Sequence, residues 1–364
     1  MSDLHVPRCE QVQRFLKRES LAGLLISNPR NVTYLTGFTG DDSYLLVTQS
    51  KRILISDFRF IIQLAEECPD IEVEIRSTGQ TIGDAVGGLV GRLKLGRVGF
   101  EAGHLTVAQR DALAERMSAV DLVGTTGVVE QLRMVKDKHE IELLRRAVRV
   151  AEQAIGVMVA SLRGELSELQ VAHELENQIR LFGGSGCSFA PIVAVGERAA
   201  LPHCPPGKKR IGEREFVLID WGATYQGYRS DLTRVYVTGK ISPKLRRIYK
   251  VVLQAQRRAI EAIRPGVSLE AVDAAARTVI EKAGFGKYFG HGLGHGIGLD
   301  IHESPRMAVG QKQTLSAGMV VTVEPGIYLP DWGGVRIEDD VLVTRRGHEV
   351  LSSVSKELDE CVIS

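Results

Sequence analysis

EFVLIDWGATYQGYRSDLTRVYVTG, residues 215–239, decides how the rest of the chain reads. Two strand-length apolar runs flank a glycine-containing loop, and each carries an acid, Asp220 and Asp231. Length and β-branched content mark strands, so the stretch is expected to form a hairpin with a carboxylate on both arms. A second stretch repeats the arrangement. MVVTVEPGIY (319–328) holds Glu324, and VRIEDDVLVT (335–344) holds Glu338. Acids flanked by Val, Ile and Leu are expected to be partly buried, and an unpaired buried carboxylate is costly. Taken singly, each reads equally as an ordinary acid at a strand end or on a solvent face. If pseudo-symmetry relates the two hairpins, all four meet, and four adjacent carboxylates do not all stay ionised without cations. Two divalent ions would balance them, and an oxygen-rich set favours Mn²⁺, Co²⁺ or Fe²⁺ over a structural zinc site.

The segments between these hairpins repeat as well. Ile141, Leu144, Val148, Ala151, Ile155, Val159 and Leu162 step by three or four, the spacing of one buried helical stripe. Ser167 and Gln170 have capping-box spacing for a second helix that runs to Gly183-Gly184. Ser242-Pro243 opens a third along Leu245, Ile248, Val252, Ala255, Ala259 and Ile263. Ser268 opens a fourth along Leu269, Val272, Ala276, Val279 and Ala283. Two helices then strands, twice, predicts a duplicated α+β domain with helices outside a curved antiparallel sheet. Before it, LAGLLISN (21–28), YLLVT (44–48), RILISD (52–57) and RVGFE (97–101) read as strands. RFIIQLAEEC and GDAVGGLVGRL read as helices among them, giving an α/β pattern without a catalytic constellation.

Composition narrows the class. The 364 residues carry 46 basic and 45 acidic side chains, a net +1, with 44% hydrophobic residues. Balanced charge leaves no footprint for nucleic acid, and no apolar stretch approaches the ~20 residues of a membrane span. The opening MSDLHVPRCE lacks the apolar core of a signal peptide. Five scattered cysteines without a CxxC pair suit reduced thiols, hence a cytoplasmic setting.

HGLGHGIGLDIHE (291–303) supplies three of the nine histidines: His291, His295 and His302. Glycine at 290, 292, 294, 296 and 298 opposes a helix there and favours extended, closely packed backbone. Neither HEXXH nor a phosphate-binding glycine pattern is present.

With these residues in view, the chain resembles the Xaa-Pro peptidases, prolidase and aminopeptidase P, which are M24 metallopeptidases of the pita-bread fold. DWGATYQGYRSDLTR, HGLGHGIGLDIHESP, VEPGIY and GGVRIEDD carry the resemblance, with NVTYLTGF (31–38) and LRMVKDKHEI (132–141) toward the N-terminus. It implies an α+β chain: a creatinase-N-like α/β domain over 1–131, then a pita-bread catalytic domain with pseudo-two-fold halves over 132–364. It implies a metal set of Asp220, Asp231, His295, Glu324 and Glu338, with Asp231 and Glu338 bridging two ions and a shared water or hydroxide. The ions are expected to be Mn²⁺, with Co²⁺, Fe²⁺ or Zn²⁺ as alternatives. Glu324 is the implied proton shuttle, and His203 and His302 the outer histidines that bind substrate and stabilise the tetrahedral intermediate. His291, Tyr228 and Arg336 are candidates for orienting ligands, and Arg306 for holding a substrate carboxylate. Substrates would be peptides with proline second, cleaved by dipeptidase or aminopeptidase P activity in a homodimer, with neither nucleic acid nor membrane as partner. The alternatives are a methionine-aminopeptidase-like enzyme, opposed by the N-terminal domain of about 130 residues, and a non-catalytic pita-bread binding protein, opposed by the intact ligand set.

Overall fold

A computed structural model describes residues 4–363, and the chain divides into two compact units between Arg133 and Met134. In the first, the chain runs α1 (His5–Arg18), β1 (Gly23–Ile26), α2 (Pro29–Thr36), β2 (Tyr44–Thr48), β3 (Arg52–Ser56), α3 (Ile61–Glu67) and β4 (Glu72–Ile75). It continues through α4 (Ile82–Arg92), β5 (Arg97–Glu101), α5 (Val107–Arg116), β6 (Asp121–Thr125) and α6 (Val128–Arg133). The strands form one sheet in the order β4-β3-β2-β1-β5-β6. Its apolar runs are the interior strands, as expected. The edge strands β4 and β6 leave most side chains exposed or half-buried, so backbone pairing holds them and no apolar run announces them. NVTYLTGF contributes to α2, opened by the Asn28 side chain accepting from Arg30 N–H at 3.0 Å.

The second unit is built twice. α7 (Lys138–Ser161) and α8 (Glu168–Leu181) precede β7 (Gly186–Cys187), β8 (Ile192–Val195), β9 (Phe216–Trp221), β10 (Ala223–Tyr225), β11 (Tyr228–Arg229) and β12 (Leu232–Val237). α9 (Pro243–Ala262) and α10 (Leu269–Lys282) precede β13 (Gly294–Gly296), β14 (Glu303–Met307), β15 (Val320–Val323), β16 (Gly326–Leu329), β17 (Gly333–Arg336) and β18 (Asp339–Val343). A short β19 (His348–Val350) pairs with β18. Two helices and six strands, twice over, is the repeat the sequence pattern predicts.

Capping follows the expected residues. Ser167, Ser242 and Ser268 each accept a backbone N–H at their helix starts, and Asp137 with Glu140 adds a capping box on α7. The helical stripes face the core, where a buried Leu or Ile contributes ~1.5–3 kcal/mol. In α10, Ile280 takes the deep position expected of Ala283, which caps the helix end instead.

The strands depart from expectation in one informative way. MVVTVEPGIY does not form one strand but breaks at Glu324-Pro325 into β15 and β16, and VRIEDDVLVT breaks at Ile337-Glu338 into β17 and β18. Proline has no N–H for the ladder. β16 and β17 peel away as a separate ribbon, while β15 pairs with β18 so that Thr322 faces Asp340. The first half matches: β9 pairs with β12, Asp220 opposite Thr233, and β10 pairs with β11. The acids therefore sit at or next to strand ends, Asp220 still paired within β9 and the other three just outside β12, β15 and β18.

Candidate metal centre

Asp220 is the penultimate residue of β9, Asp231 immediately precedes β12, Glu324 immediately follows β15, and Glu338 immediately precedes β18. Asp220, Asp231 and Glu338 are buried; Glu324 and His295 are half-buried. One donor atom each from Asp231, His295 and Glu338 lies within 4.8 Å of the others. His295 Nε2 is 3.3 Å from Glu324 Oε1 and 3.7 Å from Asp231 Oδ2. Its Nδ1 lies 3.1 Å from Gly296 O and can only donate to that carbonyl, so Nε2 is the nitrogen turned to the acids, donating to Glu324 when the ring is protonated.

Glycines bring His295 there. β13 is squeezed between β14 and β15, and a Cβ on Gly294 would lie 2.1 Å from Thr322 O, one on Gly296 2.3 Å from Ser304 O. The run 290–298 is extended only over β13, with a register shift after His295, and loops on either side.

Asp220 joins through Arg336, whose Nη2 donates to Asp220 Oδ2 at 2.5 Å. Arg336 Nε donates to Thr233 Oγ1 at 3.1 Å, and that hydroxyl donates to Glu338 Oε2 at 2.5 Å. Arg336 Nη1 also donates to Tyr328 Oη at 2.9 Å. The Tyr328 hydroxyl lies 2.9 Å from His291 Nε2, and His291 Nδ1 lies 2.8 Å from Gly292 O. With Nδ1 donating to that carbonyl, Nε2 accepts from Tyr328. His291 and Arg336 thus meet through a tyrosine that sequence reasoning missed, although it stands four residues after Glu324 in VEPGIY. Asp340 was missed too. Its Oδ2 accepts the Asp231 N–H at 3.0 Å, and its position two residues beyond Glu338, on the same strand face, was the available signal.

The remaining sites fall as follows. The His302 ring centroid is 4.3 Å from that of His295. Burial, then the positive charge of His295 and, after it, of His203, lowers its pKa against the opposing charge of Glu324. Tyr228 is buried with its hydroxyl donating to Glu140 Oε1 at 3.0 Å, in the first turn of α7. Arg306 is exposed on β14, directly opposite His295 in register.

Charge crowding dominates the electrostatics. Burial first, then Glu338, Asp220, Glu324 and Asp340, push the Asp231 carboxyl well above the ordinary range. Burial, Glu324 and Asp220 do the same to Glu338. Burial raises Asp220 despite Arg336 and pushes Asp340 up to about 8. Burial raises Glu324 as well, but the hydrogen bond and charge of His295 outweigh it and hold this carboxyl low. Asp220 Oδ1 and Asp340 Oδ1 are buried with no hydrogen-bond donor among the described residues. Orphaned carboxylate oxygens are costly, and a cation is what they lack. Hard oxygens with one imidazole nitrogen fit divalent metal ions.

Residues 142–345 match the model for metallopeptidase family M24, and residues 8–135 that for the creatinase/prolidase N-terminal domain. An uncharacterized peptidase, YqhT of Bacillus subtilis (strain 168), is 37% identical over 96% of this chain and 99% of its own length. A solved Xaa-Pro dipeptidase from Bacillus anthracis superposes with a TM-score of 0.94 at 38% identity, covering 98% of this chain and 99% of that one. The X-Pro aminopeptidase from Thermotoga maritima MSB8 gives 0.88 at 35%, over 94% and 98% of the two chains. The prolidase from Pyrococcus horikoshii OT3 gives 0.89 at 33%, over 97% and 99%. Among the described residues, no helix is long and apolar enough to cross a membrane. With a creatinase-type N-terminal unit ahead of a pita-bread unit, the chain belongs to metallopeptidase family M24.

Proposed function

We propose that the chain hydrolyses the bond preceding proline in Xaa-Pro peptides, as an Xaa-Pro dipeptidase or aminopeptidase P. The observation that carries this reading is the grouping of Asp231, His295 and Glu338, with Glu324 against His295 and Asp220 held by the Arg336 that also bonds Thr233, in a chain similar to enzymes named for Xaa-Pro cleavage. Those five side chains, Asp231 and Glu338 among them, would hold two divalent ions, Mn²⁺ first by the hardness of the donors. Such ions, when bound, supply Lewis acidity that lowers the pKa of a water and polarises the scissile carbonyl.

The protein's own groups do the rest. Glu324 takes the proton from the attacking water and passes it to the leaving nitrogen. That transfer is decisive for a prolyl bond, because the ring nitrogen carries no hydrogen and must be protonated to leave. His302 and His203 donate to the carbonyl oxygen as negative charge develops on it. Arg336, backed by Tyr328 and His291, holds Asp220 in place. Arg306 would bind a free prolyl carboxylate. The resemblance also supports a domain boundary at 131/132, a homodimer and a cytoplasmic setting as further proposals.

The deciding experiment strips the protein with a chelator, reloads it with Mn²⁺ and assays Xaa-Pro dipeptides, Xaa-Pro-Yaa tripeptides and methionyl peptides lacking proline. Cleavage confined to prolyl substrates, dependent on Mn²⁺ and lost in Glu338→Ala, is the expected result. A protein that binds the ions yet leaves every prolyl substrate intact overturns the reading.

A further inference from the structure

The two halves of the catalytic unit meet at the acids through little backbone. β12 and β18 lie in different sheets and are joined by an isolated bridge, Thr233 to Glu338, in which Glu338 N–H donates to Thr233 O at 3.2 Å. The distance between the acids of the two halves depends on that seam. Successive side chains alternate across a strand, so the neighbours of Thr233 and Glu338, Arg234 and Asp339, point to the opposite side. Both are fully buried, and they pair at 2.8 Å.

Arg234 does more than pair. Its Nη1 donates to Thr233 O at 2.9 Å and to Glu338 O at 2.6 Å, the carbonyls of both bridge residues. Its Nη2 donates to Val354 O at 2.8 Å and its Nε to Ser355 O at 3.1 Å. Asp339 accepts in turn from Gln256 of α9 at 2.6 Å, from Ser352 at 2.6 Å and from Lys356. One planar guanidinium therefore ties β12, β18 and the C-terminal segment into one piece directly behind the seam. Only a rigid fork of donors can reach all of these acceptors together; an ammonium cannot.

We propose that Arg234, braced by Asp339, is a positioning residue that sets the spacing between the acids of the two halves and thereby the affinity for divalent ions. It touches none of the side-chain oxygens that would bind metal; it acts through the backbone of Glu338 and Thr233. This inference rests on the metal-binding reading above.

Arg234→Lys tests it, since lysine keeps the charge and loses the fork. The readouts are Mn²⁺ stoichiometry and dissociation constants by calorimetry, the visible absorption spectrum of the Co²⁺-loaded protein, and the Tm of the stripped protein. The expected result is a folded stripped protein whose Mn²⁺ affinity falls roughly 10- to 100-fold at one or both sites, with an altered Co²⁺ spectrum. Ile248→Val, a core change in α9, serves as the control: it lowers Tm and leaves both metal readouts unmoved. Arg234→Lys with wild-type affinities and spectrum overturns the proposal, as does an Ile248→Val effect on affinity matching that of Arg234→Lys. If Arg234→Lys does not fold, Lys356→Met removes an outer partner of Asp339 and decides alone. Weakened Mn²⁺ binding of a folded protein then supports the brace, and unchanged binding overturns it. Failure of the wild-type protein to bind any divalent ion would instead overturn the metal reading itself.

Discussion

Arg336 holds one oxygen of Asp220, Nη2 to Oδ2 at 2.5 Å, while the other oxygen is buried without a donor among the described residues. The contact is half of a design: one cation, from the protein, neutralises part of the cluster and aims the free oxygen.

Replacing Arg336 by methionine leaves that carboxylate buried and unpaired and removes the hydrogen bonds to Tyr328 and Thr233. Breaking a buried pair from one side costs ~3–5 kcal/mol, so Tm should fall by many degrees. Metal-dependent kcat/KM should fall roughly 10- to 100-fold, as for other partners of metal ligands. Melting curves and steady-state kinetics check both, and an Arg336→Met protein with wild-type kcat/KM would show that Asp220 needs no orienting partner.

Gly294 packs tightly against Thr322 of β15. A methyl at that position would meet Thr322 O at 2.1 Å and Thr322 Oγ1 at 2.7 Å, and Thr322 Oγ1 also accepts the His295 N–H at 3.0 Å. Gly294→Ala must push the strands apart, with an overpacking cost of ~1–3 kcal/mol. It also displaces His295, and misplacement by ~1 Å can cost about 100-fold in rate. Activity should therefore fall further than stability. A variant that loses Tm but keeps its kcat would place His295 outside the chemistry.

Some of this was legible in the sequence and some was not, for reasons particular residues make plain. Asp220, Glu324 and Glu338 stand out because each interrupts or ends an apolar run, and Asp231 because it heads the paired one; such placement is costly unless the acid has a purpose. Tyr328 and Arg234 interrupt nothing: a tyrosine between isoleucine and leucine, or an arginine between threonine and valine, reads as an ordinary strand residue. Only the packing of β12 against β18, and of β16 against β17, shows what they touch. Asp339 and Asp340 read alike, yet one faces Arg234 and the other the acid cluster. That difference lies in the break at Ile337-Glu338, which fixes the strand phase and was hidden inside a stretch that reads as one strand.

In the N-terminal unit, stability should depend on acid pH through Asp84. Thr81 and Asp84 form a capping box on α4, with Asp84 N–H donating to Thr81 Oγ1 at 3.1 Å and Thr81 Oγ1 donating to Asp84 Oδ2 at 2.6 Å. The Thr81 hydroxyl, then Arg116, lower this carboxyl from 3.8 to about 2. Because the folded value is the lower one, the contribution is present above 3.8 and disappears as pH falls toward about 2. Asp84→Asn should lower the urea midpoint at about pH 6, and the gap from wild type should close as pH drops below about 4. A gap that stays constant across that range would mean the ionised form contributes nothing beyond the amide.

Arg306 stands opposite His295 across the β13–β14 pair. Residues directly opposite in an antiparallel ladder project to the same face, so an exposed guanidinium rises beside the imidazole that faces Glu324 and Asp231. In a dipeptide the proline carboxylate is free and lies one residue from the scissile bond, within reach of a fork that binds carboxylates in two-point fashion. In a tripeptide that carboxylate is an amide, which offers the fork no charge. Arg306→Ala should therefore cut kcat/KM for an Xaa-Pro dipeptide by the ~1.5–3 kcal/mol of a charged hydrogen bond, about 10- to 150-fold, mostly through KM. Turnover of Xaa-Pro-Yaa should change by no more than about threefold on the same argument. Parallel kinetics on the two substrates decide the matter, and equal losses on both would remove Arg306 from carboxylate recognition and leave it a role in the hairpin alone.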